Sequence, residues 1–315
     1  MPEFSFESFA LLCAAGLAGL FADAASTLLL YRRPFQVSRT ALQKRLTRLA
    51  RRLDRERRPE RVRFGRGVLL AGVALTLGII AGLMLGWLTG GMTVGWLVTA
   101  VAVGWLVEHR AIFALGRAIL YEMEHSGAIA AAALLRAVGT ATTPEPHAIF
   151  RATIALCAQR FGRGVVAPVF AAAVGGLPLL LGWAALDRLL RGLETDEAGQ
   201  GAVRRGAERL HMLAGWIPMR LAGLVCAATA ALVPGCRPLH SLAAAFRGRM
   251  GEGALPAVAG ALDVTLGRPG RWIGTGRAKL LPADLRRAML LFLVGSAAYG
   301  ALLAAAAVAA FAAAG

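Results

Sequence analysis

Apolar residues in this chain come in long runs separated by basic stretches, and that alternation sets the expected architecture. Six runs, at 8–30, 67–89, 93–108, 164–186, 213–234 and 288–312, carry few charges. Most are near the length of about 20 residues that a helix needs to cross a hydrocarbon core of about 30 Å. A membrane barrel would show short alternating segments instead of long Ala, Leu, Gly and Val stretches. The pattern predicts an all-α, polytopic integral membrane bundle of about six transmembrane helices, a single membrane domain over residues 1–315. The third run is short, and Pro168, Pro178 and Pro218 interrupt the fourth and fifth, so whether these three cross fully is left open.

Basic residues crowd into 31–66, 109–163 and 235–287, which the positive-inside rule places in the cytoplasm. The N-terminus is then outside, in a multi-pass protein of a bacterial inner membrane, with a tight outer turn at 89–92. In the outer segment expected at 187–209, Arg188, Arg191, Arg204, Arg205 and Arg209 balance Asp187, Glu194, Asp196, Glu197 and Glu208. The start of the chain lacks a basic leader, so its first run reads as a retained span. Within 40–53, Leu42, Leu46, Leu49 and Leu53 line one face of a basic helix. Such a helix either lies on anionic headgroups or packs on its own protein.

Composition agrees with a bilayer protein. The mean hydropathy is +0.60, with 57% hydrophobic and 17% charged residues. A net charge of +17 could mean nucleic acid, but its placement between apolar runs makes the lipid bilayer the partner and excludes nucleic acid. Cys13, Cys157, Cys226 and Cys236 form no CxxC pair and read as small buried hydrophobes. Glu122, Glu124 and His125 read as a solvated cluster rather than a metal site.

Residues 151–168, RATIALCAQRFGRGVVAP, carry the most specific signal. They resemble the R-A-T-V-E-S-L-A-E-N-T-S-D-G-V-V-A-P run of the cobalamin-biosynthesis membrane proteins that make adenosylcobinamide phosphate. Further matches are Trp216-Ile217-Pro218 with Arg220-Leu221, Trp272-Ile273-Gly274-Thr275-Gly276, and Asp284-Leu285-Arg286-Arg287-Ala288. Asp23, followed by Arg33-Pro34-Phe35-Gln36-Val37, is similar to the family's opening.

That resemblance implies a reaction joining an aminopropanol unit to a corrinoid carboxylate by amide ligation. ATP with Mg²⁺ is implied only where that reaction is retained, and a corrinoid intermediate and other cobalamin-pathway or membrane proteins are the implied partners. The family's acidic and polar positions fall here on Ala141, Ala155, Gln159, Arg160, Arg163, Leu190, His211 and Met212. Packing residues remain while carboxylates are replaced, which points to a catalytically degenerate relative as one form of this reading. The alternative is a non-catalytic sensor similar to the membrane modulator of β-lactamase induction, whose W-V-P-V-R-L-A-G run matches residues 216–223. The candidate ligand-contacting residues are Asp23, Arg151, Thr153, Arg160, Arg163, Trp216, Arg220, Trp272, Gly274 and Gly276; no metal ligand and no catalytic residue is assigned.

Overall fold

The computed structural model describes residues 9–19, 59–89, 95–194, 201–249, 251–268 and 271–314. Residues 90–92 of the expected turn, the basic helix at 40–53, Asp23 and much of the first run lie outside these residues. The described chain forms α1 (Phe9–Gly19), α2 (Glu60–Thr89), α3 (Gly95–Leu106), α4 (His109–His125), α5 (Gly127–Ala137) and α6 (Pro146–Phe161). A π-helical turn (Gly162–Val166) leads into α7 (Ala167–Glu194), followed by α8 (Ala202–Ala214), α9 (Trp216–Thr229), α10 (Pro238–Arg247) and α11 (Leu255–Leu262). A two-stranded hairpin of β1 (Leu266–Arg268) and β2 (Arg271–Ile273) precedes α12 (Pro282–Ala314).

Four helical stretches among the described residues are long and apolar enough to cross a membrane: Glu60–Thr89, Trp96–His125, Pro146–Leu193 and Pro282–Ala313. A fifth results if α8 and α9, bent by 65° at Gly215, count as one span. The chain is an all-α polytopic membrane protein.

Helix α2 shows how sequence selects packing in lipid. Its buried residues are Gly67, Ala71, Gly78 and Gly82, whereas Leu69, Val73, Leu77, Leu83 and Trp87 are exposed. Without a hydrophobic drive between helices in lipid, close backbone approach supplies the contact, and small residues permit it. A Cβ on Gly78 would lie 2.5 Å from the Leu181 carbonyl oxygen, and one on Gly82 2.5 Å from that of Leu177. The second half of α7 therefore runs antiparallel to α2 in backbone contact.

The fourth apolar run does not form one straight helix. At Gly175 (φ −138°, ψ 19°) and Gly176 (φ 59°, ψ −149°) the backbone of α7 leaves helical geometry. The indole N–H of Trp183 then donates to the Arg163 carbonyl at 3.1 Å, although twenty residues of straight helix would separate them by about 30 Å. Trp183 also packs with Ala167 and Ala171. The chain enters as one helix, turns at the glycine pair and returns beside itself.

That return corrects the expected sidedness of 187–209. Glu60 accepts an ion-pair hydrogen bond from Arg205 at 2.5 Å, and a Cβ on Gly206 would lie 2.2 Å from the Phe64 carbonyl oxygen. The start of α2 and the start of α8 therefore share one end of the bundle, where the hydrophobic pattern had put them on opposite sides. Single cysteines replacing Glu60 and Arg205 are expected to be labelled by an impermeant thiol reagent from the same face of sealed vesicles. Labelling from opposite faces would contradict the hairpin.

Candidate functional site

The hairpin gathers charged side chains that the sequence scatters. Val107 and Glu108 break the helix between α3 and α4, and the freed Glu108 backbone N–H donates to the Gly164 carbonyl at 2.8 Å. Gly164 stands within the π-helical turn, a widening often found at functional positions. A Cβ there would come within 3.0–3.1 Å of the Glu108 side chain, so glycine is what admits the carboxylate.

Arg191 reaches this carboxylate from the returning half of α7, its Nη1 donating to Glu108 Oε1. Its Nη2 lies 2.6 Å from Asp187 Oδ2 one turn earlier. The other oxygen of Asp187 lies 3.3 Å from His211 Nε2 of α8. Asp187 and His211 are both buried, and the imidazole packs on the Trp183 indole with ring centroids 4.7 Å apart. Gly215, at the bend after α8, fits against the same indole, since a Cβ would meet its edge at 2.8 Å.

Arg160 and Arg163 complete the electrostatics. Arg160 lies in the field of Glu108, Arg191 and Asp187, and Arg163 in that of Asp187. Three guanidinium groups thus face two carboxylates, leaving the group positive even with His211 neutral. Inside a helical membrane protein such charge is expensive unless partnered. The cluster can hold an anion, and the His211–Asp187 pair can accept and orient a proton.

Of the residues expected to contact a ligand, Arg160 and Arg163 belong to this group. Thr153 is buried and its hydroxyl donates to the Ile149 carbonyl at 2.8 Å within α6. Arg151 lies nine residues before Arg160, about 14 Å along the helix. It donates to the Ala278 carbonyl at 2.5 Å and stands over the Trp272 ring, 4.9 Å from its centroid. Gly274, at φ 92°, and Gly276 are pressed on Val264 and Asp263: a Cβ on Gly276 would lie 2.1 Å from the Asp263 carbonyl carbon. These two glycines serve the chain crossing beside the β-hairpin.

Trp216 and Arg220 form a third place. Arg220 donates to the carbonyls of Ala245 and Phe246 at 2.9 and 3.1 Å, capping the end of α10. With Trp216, Met219 and Gly253 it borders a small cleft. Asp284, an expected first-turn acid of the last helix, reaches back to the Leu281 N–H at 2.8 Å and binds Arg277.

Glu108, Trp183, Asp187, Arg191 and His211 were not singled out as ligand contacts by sequence reasoning. A recoverable signal was the Asp187–Arg191 spacing, which places an acid and a base on one helical face. Glu108 ending an apolar run was another.

Mg²⁺, implied by the resemblance, does not fit this donor set. Both carboxylates of the group are already bound by Arg191, and no group of three or more His, Cys, Asp or Glu among the described residues could hold a metal ion.

Comparison with known proteins brings these features together. The family model described as CobD/Cbib protein matches residues 17–292. Cobalamin biosynthesis protein CobD of Yersinia enterocolitica is 28% identical over 169 residues, covering 48% of this chain and 52% of that protein. Cobalamin biosynthesis protein CobD of Photorhabdus laumondii is 29% identical over 168 residues, 47% and 51% of the two chains. Cobalamin biosynthesis protein CbiB of Salmonella typhi is 27% identical over 169 residues, 48% and 52%. The chain spans about half the length of the curated relatives it matches. No solved structure matches.

Proposed function

This chain belongs to the CobD/Cbib protein family of cobalamin biosynthesis proteins, and from that premise we propose that it works as an inner-membrane protein of the adenosylcobinamide-phosphate synthase type. In this reading it holds a corrinoid carboxylate for amide formation with an aminopropanol unit, its basic helix ends facing the cytoplasm. The observation that supports it is the positive group formed by Arg160, Arg163 and Arg191 around Glu108 and Asp187, in the segment that carries the family resemblance.

Each residue has a chemical task in that setting. The guanidinium groups attract and orient the carboxylate. Arg191 holds both acids in place, and His211, fixed by Asp187, receives the proton that the amine releases as it attacks the carboxylate, activated beforehand as an acyl phosphate by a nucleoside triphosphate, so that the C–N bond forms as phosphate leaves. Trp183 and the bend at Gly215 shield the pair from water.

The test is growth of a cell lacking its synthase on a corrinoid precursor. The wild-type gene should restore growth, and His211→Ala should lower the rate of product formation by about 10²–10⁴-fold, the range of a general base. A membrane-inserted chain that restores nothing removes the ligase reading. A non-catalytic sensor then remains, favoured by the neutral side chains at Ala155, Gln159, Leu190 and Met212, where the family carries acids.

A further inference from the structure

We infer that the cavity between the end of α4, the start of α6 and residues 280–282 is a binding site for a mostly apolar molecule of one or two rings that donates one hydrogen bond to His147. The site is separate from the charged group and does not depend on the corrinoid reading. His147 stands thirteen residues before Arg160 on α6, about 20 Å along the helix.

The cavity has a volume of about 200 Å³. Leu120 and Met123 line it from α4, His147 and Phe150 from α6, and Leu280 from the approach to α12. Pro146 and Pro282, which open α6 and α12, complete the wall with ring carbons where another residue would present a backbone N–H. Phe150 and Leu280 are buried. An apolar cavity of about 150 Å³ takes benzene, so this one has room for a single ring or two fused rings.

One polar group in that wall has a fixed role. His147 Nδ1 lies 2.7 Å from the Leu280 carbonyl oxygen. That oxygen can only accept, so Nδ1 carries the proton and Nε2 of the neutral ring is the acceptor. The same bond ties Leu280 to α6, setting wall and acceptor together. Apolar walls with one placed polar group are how proteins orient small molecules, and a ring N–H or O–H is the group that meets an imidazole acceptor.

Position decides between a water-borne ring and a lipid tail. The apolar run 288–312 makes about 37 Å of helix, enough to cross a hydrocarbon core of about 30 Å. The cavity meets α12 at Pro282, before that run begins. Glu124 stands at its rim, exposed, with its carboxylate 3.1 Å from the equally exposed Arg286. An exposed ion pair belongs in water rather than among acyl chains, so the mouth opens to the aqueous phase.

The experiment titrates the purified full chain, in lipid nanodiscs, with indole and separately with indene, which has the same shape without the N–H. Empty nanodiscs supply the blank for lipid partition, and calorimetry reads saturable binding. Both should bind, indole more tightly by about threefold or more, the range of one neutral hydrogen bond. His147→Leu should bring indole to within about twofold of indene and leave indene unchanged, which a merely structural histidine would not do. Leu120→Trp and Met123→Trp, each filling the cavity, should abolish saturable binding of both molecules.

No saturable binding, equal affinity of the wild type for indole and indene, or undiminished binding by a folded, cavity-filled chain would overturn the inference. Should both tryptophan variants fail to fold, an indole preference that survives His147→Leu would overturn it as well. Laurate displacing indole at a lower concentration than indole itself needs would give the cavity to an acyl chain, with the same consequence.

Discussion

Arg191→Ala is expected to lower stability more than any other single charge removal in the protein. The side chain ties Glu108, at the break between α3 and α4, directly to Asp187 on the returning half of α7. Deleting it leaves Glu108 and Asp187 with the fields of Arg160 and Arg163 but without the side chain that bridged them, and with His211 beside Asp187. Breaking a buried pair by removing one partner costs about 3–5 kcal/mol. Arg191 keeps a quarter of its side chain exposed, so solvent screening reduces this to roughly 2–4 kcal/mol.

Thermal unfolding in detergent measures the loss. Arg191→Lys should recover part of it, because an ammonium group can hold one acid but cannot span both. Asp187→Asn combined with Arg191→Ala should melt higher than the sum of the single effects, since it removes a stranded charge together with its partner. Wild-type melting by Arg191→Ala would show that the two acids are solvated and that the cluster is not a closed unit.

The helical class was legible because lipid demands long apolar runs, and the chain supplies them at 67–89 and 288–312 with little ambiguity. The hairpin was harder to see. Hydropathy registers that 164–186 is apolar but does not distinguish one crossing from a descent and return of the same composition. That distinction lies in the backbone of Gly175 and Gly176. Sidedness followed the same error: Asp187 and Arg191 were read as loop charges, while the return places them inside, each satisfied by the other.

The candidate site was legible in its helix and not in its partners. Arg160 and Arg163 stood out because they sit in a motif whose other members survive. Glu108, Asp187 and His211 come from distant segments, and only the tertiary fold sets them against the arginines. Arg220 and Arg151 bond backbone carbonyls elsewhere, Arg151 standing over Trp272, and Trp216 borders the cleft beside Arg220.

Gly176→Ala should be the second most damaging change, and it tests how the turn governs the site at a distance. At φ 59° and ψ −149° this residue occupies a region essentially reserved for glycine, so a side chain adds strain of about 1–3 kcal/mol. The added Cβ would also sit 3.3 Å from Leu12 Cδ2, a contact α1 must yield to. Relief requires the turn to open, and opening swings Trp183 and Asp187 away from Arg163 and Glu108 because all of them depend on the two arms lying together. Melting temperature and the rate of product formation should therefore fall in the same variant. Gly72→Ala and Gly86→Ala in α2 meet nothing within 4 Å, and alanine favours helix over glycine by about 1 kcal/mol, so both should hold or raise the melting temperature. If Gly176→Ala behaves like these two, the glycine pair is a passive bend and the returning arm is held by its packing on α2 alone.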